Sequence, residues 1–472
     1  MKKTVAALLV LCTLTACNLG KDFARPEMSL PGSWKKGDKV TLSQHINPDW
    51  WTNFKSAELN MLMTEALAQN LDLKASLNRI RQSRATARIA GSALLPAIDA
   101  SGSLGGTETR ANGAGRDGWT TSGRAGLDVS YELDLFGGNR AGVNSARALV
   151  RNSEFNHDAL ALIVMSDVAQ IYFQFLNLRE RLALAERTQK NIAEVLKVAD
   201  ARFNAGSTSA IDVSRQRTEL ANAQAGVAAL RNQVNATENA LSVLLARPPQ
   251  NLGLKGWGLG GIAVPKVPLT QPADILVQRP DIRAAEALLV AANADITAAR
   301  AAFFPRVDIG TGIGLALSPL GGPATNAIDL LASIVAPIFH GGALEGGVER
   351  ATAREMELAE NYRKVVLTSL QEIEDALSAV KAARSRQGSF STAVREAKRT
   401  YELSRGLYEA GSVDYQTMLE AQRSLFSAND NYASVKLELL NAEVDLYRAL
   451  GGGWISNTSS AAATRKAGVQ KK

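Results

Sequence analysis

Thiols and imidazoles are scarce in this chain, whose 472 residues include two cysteines and three histidines. Cys12 lies inside an N-terminal apolar run and Cys17 stands just beyond it, so no thiol remains for disulfides, a thiolate metal site or nucleophilic catalysis. His45, His157 and His340 fall in unrelated segments with no partner at metal-ligand spacing, and neither a G-x-S-x-G nor a phosphate-loop motif occurs. No metal and no enzyme are expected. Paired acids such as Glu372, Glu374 and Asp375 read as a solvated helix face. One-sided charge is lacking too: 53 basic residues face 46 acidic ones, a formal +7 that falls to +5 without Lys2 and Lys3. The charges interleave along helices, which excludes a nucleic-acid partner.

The N-terminus has the layout of an export signal, with Lys2-Lys3, an apolar run from Val5 to Leu11 too short to span a bilayer, and Leu14-Thr15-Ala16-Cys17. The last four residues resemble the bacterial lipobox. On that reading residues 1–16 are a lipoprotein signal peptide, Cys17 carries a covalent N-acyl diacylglycerol, and Asn18 favours sorting to the outer membrane. A plain secretory signal or an N-terminal anchor stands as the alternative.

The rest of the chain is organised around long helices. A helix is expected from about Asn139 to Asn204, roughly 100 Å at about 1.5 Å per residue. It breaks at Ala205-Gly206-Ser207 and returns from Ile211 to Leu245. On the return arm Val213, Leu220, Val227, Val234 and Leu241 recur every seventh residue, the mark of a coiled-coil seam. Ala410-Gly411-Ser412 repeats the turn. Met418, Leu425, Tyr432, Leu439 and Leu446 repeat the seam 205 positions later, as 418 − 213 and 446 − 241 both show. The hairpin is duplicated.

In chain order, residues 17–56 read as an extended segment lying on the outside of the body. The first repeat, 57–246, opens with a helix from Ala57 to Leu95 that stops before Pro96. Two alternating strands follow, Ile98 to Leu104 and Arg124 to Leu135, and then the long hairpin. Residues 247–279 form a Pro/Gly-rich connector whose Gly256, Gly258 and Gly261 spell G-x-G-x-x-G without the flanking strand and helix that a dinucleotide site needs. The second repeat, 280–453, has strands near Val307 to Leu317 and Ile328 to Phe339 and a helix to Glu409. The tail, 454–472, is small and polar, and is expected to be disordered.

Alternation with weak hydrophobicity beside a lipid signal points to membrane-barrel strands, apolar outside and polar toward a lumen. Four strands cannot close a barrel, which needs about eight or more, and an open edge cannot face lipid. Copies must pool strands, giving eight in a dimer or twelve in a trimer.

Six segments carry a family resemblance: Phe23-Ala24-Arg25-Pro26, Tyr131 to Gly137, Gln278-Arg279-Pro280-Asp281-Ile282, Ala299 to Pro305, Leu419 to Leu425, and Leu450 to Trp454. In order along nearly the whole chain, they resemble the outer-membrane efflux lipoproteins of the TolC superfamily. The resemblance implies an α+β membrane protein, a homotrimer whose twelve-stranded transmembrane β-barrel continues into a periplasmic twelve-helix α-barrel. Its expected setting is the outer membrane, lipid-anchored and extending into the periplasm. The partners implied are a periplasmic adaptor, an inner-membrane exporter and outer-membrane lipid, and no cofactor besides the lipid on Cys17.

By the same resemblance the periplasmic helix ends form a gate. Leu419-Glu420-Ala421-Gln422-Arg423 matches a family pattern that usually carries aspartate, placing Glu420 at the constriction and Arg423 as its ion-pairing partner. Asp212 matches an acidic position after the first turn and Tyr408 a tyrosine before the second, with Asp414 beside it. Gly206, Ser207, Gly411 and Ser412 would turn the hairpins and touch the adaptor. Two other readings stand beside this efflux duct. One is the exit duct of type I protein secretion, and the other is a lipid-anchored coiled-coil scaffold with no pore.

Overall fold

The computed structural model describes residues 20, 23–35, 46–109, 118–249, 252–317 and 325–454. Cys17, the signal peptide and all of the tail beyond Trp454 lie outside the described residues. Among the described residues eight helices and four strands follow in order: α1 (Ala57–Gln69), α2 (Leu71–Ser92), β1 (Ala97–Thr109), β2 (Gly118–Leu133), α3 (Gly138–Asn204), α4 (Ala210–Leu244), α5 (Ile275–Gln278), α6 (Pro280–Ala301), β3 (Arg306–Leu317), β4 (Thr325–Val335), α7 (Ala343–Glu409) and α8 (Tyr415–Ala449). The duplicated order of helix, strand pair, long helix and return helix is present in both halves. Two compact units cut across the repeats. Among the described residues one holds those up to Met28 with Asn78–Phe155 and Arg283–Lys364, and the other Ser29–Leu77, Asn156–Ile282 and Val365 onward.

The first unit contains the sheet, an antiparallel meander in the order β1-β2-β3-β4. Its register puts Ile98 beside Val129, Leu127 beside Ile313, and Ile313 beside Ile328, so apolar residues of all four strands share one face. That face is open: Leu104, Ile328 and Leu330 are each more than three-quarters exposed. So large an uncovered aliphatic surface calls for an apolar surrounding. The opposite face is mostly polar, with Leu331 and Val335 of β4 as its large apolar residues. Asp99, Asp128 and Asp329 fall in one cross-strand row, with Gly312 between the last two.

Both hairpin strands outrun the sequence reading. β1 and β2 stay paired to Thr109 and Gly118, because backbone pairing continues after the apolar alternation fades. β4 is displaced instead, starting at Thr325 and stopping at Val335, since β3 begins only at Arg306 and Pro337 has no N–H to donate. Below the strands Phe136 stacks on Phe304 at 4.7 Å, and Asp134 receives the Asn139 and Arg140 amides at the start of α3.

The second unit contains an aromatic core. Trp50 stacks on Tyr447 at 5.0 Å, and Phe54 meets Phe173 at the same distance, all four nearly or fully buried. The reading of residues 17–56 as an extended segment on the outside is corrected only in part, since the described residues 23–33 carry no helix or strand and none of them is buried, whereas the tryptophans that follow turn inward. Trp34, Trp50 and Trp51 are buried, and Trp50–Phe54 forms a 3-10 turn. The single helix expected from Ala57 to Leu95 is also corrected. It breaks at Asn70, whose side-chain oxygen accepts from Asp72 and Leu73 and restarts the helix as its cap.

The connector is strapped down by acids. Glu58 receives the Lys255 and Gly256 amides and the Tyr172 hydroxyl, while Glu180 receives the Leu259 amide. A Cβ on Gly256 would collide with Glu58, Leu176 and Tyr172, and Gly258 has φ +62°. These glycines serve packing.

The long arms α3 and α7 have 67 residues each and contain no proline. One stretch of α3 is long and apolar enough to cross a membrane, but 56% of it is buried within the chain, as suits a core helix. On α4 and α8 every residue of both predicted seams is buried or half-buried.

Candidate functional site at the hairpin ends

Both hairpins reverse by the same local chemistry. Gly206 and Gly411 adopt φ +73° and +76°, the left-handed conformation in which a side chain would be strained. The Ser207 amide then reaches back to the Arg202 carbonyl at 2.8 Å, and the Ser412 amide to that of Leu407 at 2.8 Å, closing each long helix. Gly206, Ser207, Gly411 and Ser412 are all exposed.

The return helices start on caps that occupy equivalent places, Ser209 and Asp414 (414 − 209 = 205). Ser209 accepts the Asp212 amide, and Asp212 accepts the hydroxyls of Ser209 at 2.8 Å and Thr208 at 3.0 Å. Those bonds hold the Asp212 carboxyl below the usual range. Asp414 accepts the amide and hydroxyl of Thr417, which lower it likewise. Both acids therefore have a helix-capping role in addition to any other.

Between the turns lies a cluster contributed by three helices. Arg202, in the last turn of α3, donates from Nη1 to the Tyr408 hydroxyl at 2.9 Å, and its guanidinium carbon stands 4.8 Å from the Tyr408 ring centre. Tyr408 meets Tyr415 edge to face at 5.8 Å. Burial raises the Tyr415 phenol, with Tyr408 and then Asp212 adding to it.

Farther along, Arg423 of α8 pairs with Glu219 of α4. Glu420 accepts instead from Gln416 at 3.2 Å and is exposed. The expected Glu420–Arg423 pair is thus not made within the chain, because Arg423 reaches across to the other hairpin. Tyr408 meets Tyr415, and the Asp212 charge is close enough to push the Tyr415 phenol up.

Arg202, Tyr415 and Glu219 escaped the sequence reading. A signal existed, since the 205-residue offset sets Arg202 against Leu407 and Phe203 against Tyr408, a change of chemistry between otherwise matching tips.

Known proteins resemble this chain over nearly its whole length. A family model described as outer membrane efflux protein matches residues 62–247 and 272–452. The pyoverdine export outer membrane protein OpmQ of Pseudomonas aeruginosa is 33% identical over 91% of this chain and 92% of its own. The solvent efflux pump outer membrane protein SrpC of Pseudomonas putida is 33% identical over 96% and 99%. Among solved structures the Campylobacter jejuni CmeC outer membrane channel superposes with a TM-score of 0.86 at 25% identity, covering 95% of this chain and 98% of that one.

Proposed function

The chain belongs to the outer membrane efflux protein family, and from that premise we propose that it is the exit duct of a tripartite efflux pump, gated at its periplasmic hairpin ends. Family and fold are those of outer-membrane channels. The observation that carries the finer reading is the four-stranded sheet, apolar and uncovered on one face, mostly polar on the other, with β1 and β4 as unpaired edges. Edges exposed to lipid leave backbone groups without partners, so copies must join edge to edge. Twelve strands from a homotrimer meet the closure requirement, and the seams of four long helices per chain supply a continuing wall.

The duct does no chemistry and draws no energy of its own. A periplasmic adaptor would grip the exposed turns at Gly206-Ser207 and Gly411-Ser412, and an inner-membrane exporter would drive solute through. The lipid on Cys17 would anchor the chain. Relatives named for pyoverdine and for solvents support small, chemically diverse cargo, as a wide polar wall would allow. Repeated by symmetry, an inward Glu420 or Asp212 becomes a ring that attracts cations and repels anions.

Single-channel conductance in planar bilayers tests this reading, with wild type beside Glu420→Ala and Asp212→Ala. A small cation-preferring conductance that rises in both variants is expected. Folded, inserted protein that forms no channels would refute the duct, while conductance indifferent to both changes would remove these acids from the gate.

A further inference from the structure

Among the described residues 23–33, none of them in a helix or strand, Arg25 alone makes a hydrogen bond or an ion pair. Its guanidinium forks onto one carboxylate oxygen of Glu286 in α6, from Nε at 3.2 Å and from Nη2 at 2.9 Å. The other oxygen accepts from Arg283 Nη1 at 2.6 Å, and that guanidinium stands 5.5 Å from the centre of the Phe155 ring in α3. Glu286 is 14% exposed, so salt screens it less than it screens an open surface pair. Tyr362 of α7 is buried close by, where the charges of Arg25, Glu286 and Arg283 all act on its phenol. Pro26 keeps the backbone at Arg25 from turning helical.

The duplication singles this place out. The offset that matches Pro96 with Pro305 (305 − 96 = 209) sets Glu286 against Leu77 (286 − 209 = 77). An acid stands here only in the repeat that the N-terminal segment meets.

Chain length connects the contact with the membrane. From Glu286 to Ala301 α6 runs fifteen residues, about 22 Å at about 1.5 Å each, and it leads at once into β3 and the open apolar face. Arg25 stands eight residues after Cys17, a span of at most about 26–29 Å at about 3.3–3.6 Å each. The two lengths are comparable. From a docked Arg25, a lipid on Cys17 can reach the base of the strands with little chain to spare.

We propose that Arg25 is the positioning residue of the N-terminal segment, docked on Glu286 so as to set the height at which the lipid-bearing end meets the membrane. The height rests on the lipid assigned to Cys17 in the duct reading, whereas the docking can be measured without it.

The test places spin labels at Ala24→Cys and on α6 at Asp295→Cys, both exposed, in the full-length protein, after mass spectrometry of the N-terminal peptide. Distance distributions are compared for wild type, Arg25→Met and Arg25→Lys, each checked for native helicity; Glu286 keeps Arg283 in all of them. Arg25→Met is expected to raise the population at long distances by about tenfold, the scale of one charge-assisted hydrogen bond. Arg25→Lys, a point charge that cannot fork, falls between. Unchanged distances in Arg25→Met would overturn the docking. Deleting residues 19–21 shortens the reach by about 10 Å, so the lipidated protein should shift to long distances, and a Cys17→Ser form exported by a non-lipid signal should not. Wild-type distances in the shortened lipidated chain, or a Cys17 without lipid, would overturn the height and leave the docking. Channel recordings keep the duct separate: absent channels in wild type refute the duct while the distances still stand.

Discussion

Replacing Arg279 with methionine should cost about 2–4 kcal/mol of stability per chain. Its side chain is 9% exposed and bonds to Asp281 through Nε at 3.1 Å and Nη2 at 2.7 Å, to Glu372 at 2.8 Å, and to the Ala449 carbonyl at 2.8 Å. It joins the start of α6, the middle of α7 and the end of α8. Cutting a fully buried ion pair costs about 3–5 kcal/mol, largely because the abandoned charge stays buried. Here Asp281 and Glu372 are 39% and 44% exposed, so water can take over part of their solvation and the estimate is lowered. The Ala449 carbonyl loses its buried donor, for about 1–3 kcal/mol. The two discounted carboxylate pairs add about 1 kcal/mol between them. Methionine preserves the apolar stem, so the loss reports the guanidinium. Urea unfolding in detergent, followed by helical circular dichroism, should show a lower midpoint at unchanged slope. Lysine, a point charge that cannot fork to three acceptors, should recover less than half. A methionine variant within about 0.5 kcal/mol of wild type would show that the Arg279 guanidinium does not hold these three helices together.

Three other outcomes follow from the same structure. Swapping charges at Glu219 and Arg423 singly should raise conductance and remove part of its salt dependence, and the double swap should restore both; an additive double variant would show that the pair does not couple the hairpins. At Gly451 a Cβ would lie 2.3 Å from the Gln278 carbonyl oxygen at φ +87°, so Gly451→Ala should cost more than about 2 kcal/mol, whereas Gly226→Ala, in open helix interior, should gain about 0.5–1 kcal/mol; denaturant midpoints decide. Asp212 and Asp414 have folded values lowered beneath 3.8, so their capping contribution is fully present above that value and is lost as pH falls through the lowered one. Hydrogen exchange at residues 209–217 and 414–417 should stay flat from neutral pH to mild acid, after correction for intrinsic rates. Fraying that begins well above 3.8 would contradict that assignment.

The periodic features are legible in the amino-acid sequence. Heptads placed the return helices, the absence of proline let two 67-residue helices run unbroken, glycines marked both turns, and the 205-residue offset exposed the duplication. These are local signals, legible because side-chain direction repeats with the backbone. Six motifs in order gave the family, and the curated and structural relatives agree with it. Tertiary structure decided whatever depended on partners distant in the chain. Trp34 and Trp50 look like surface residues in a polar, proline-containing segment, yet they are buried against residues more than two hundred positions away. Asn70 reads as a mid-helix residue until its amide is seen donating to the Leu244 carbonyl while its oxygen caps α2. Arg423 stands one turn from Glu420 in sequence, but its long side chain reaches Glu219 across the hairpins. The repeat offset marks Arg202 as a departure from Leu407 but does not say what it meets, because its partner Tyr408 lies 206 residues away. Helical spacing fixes which way a side chain points, and only packing fixes what it meets there.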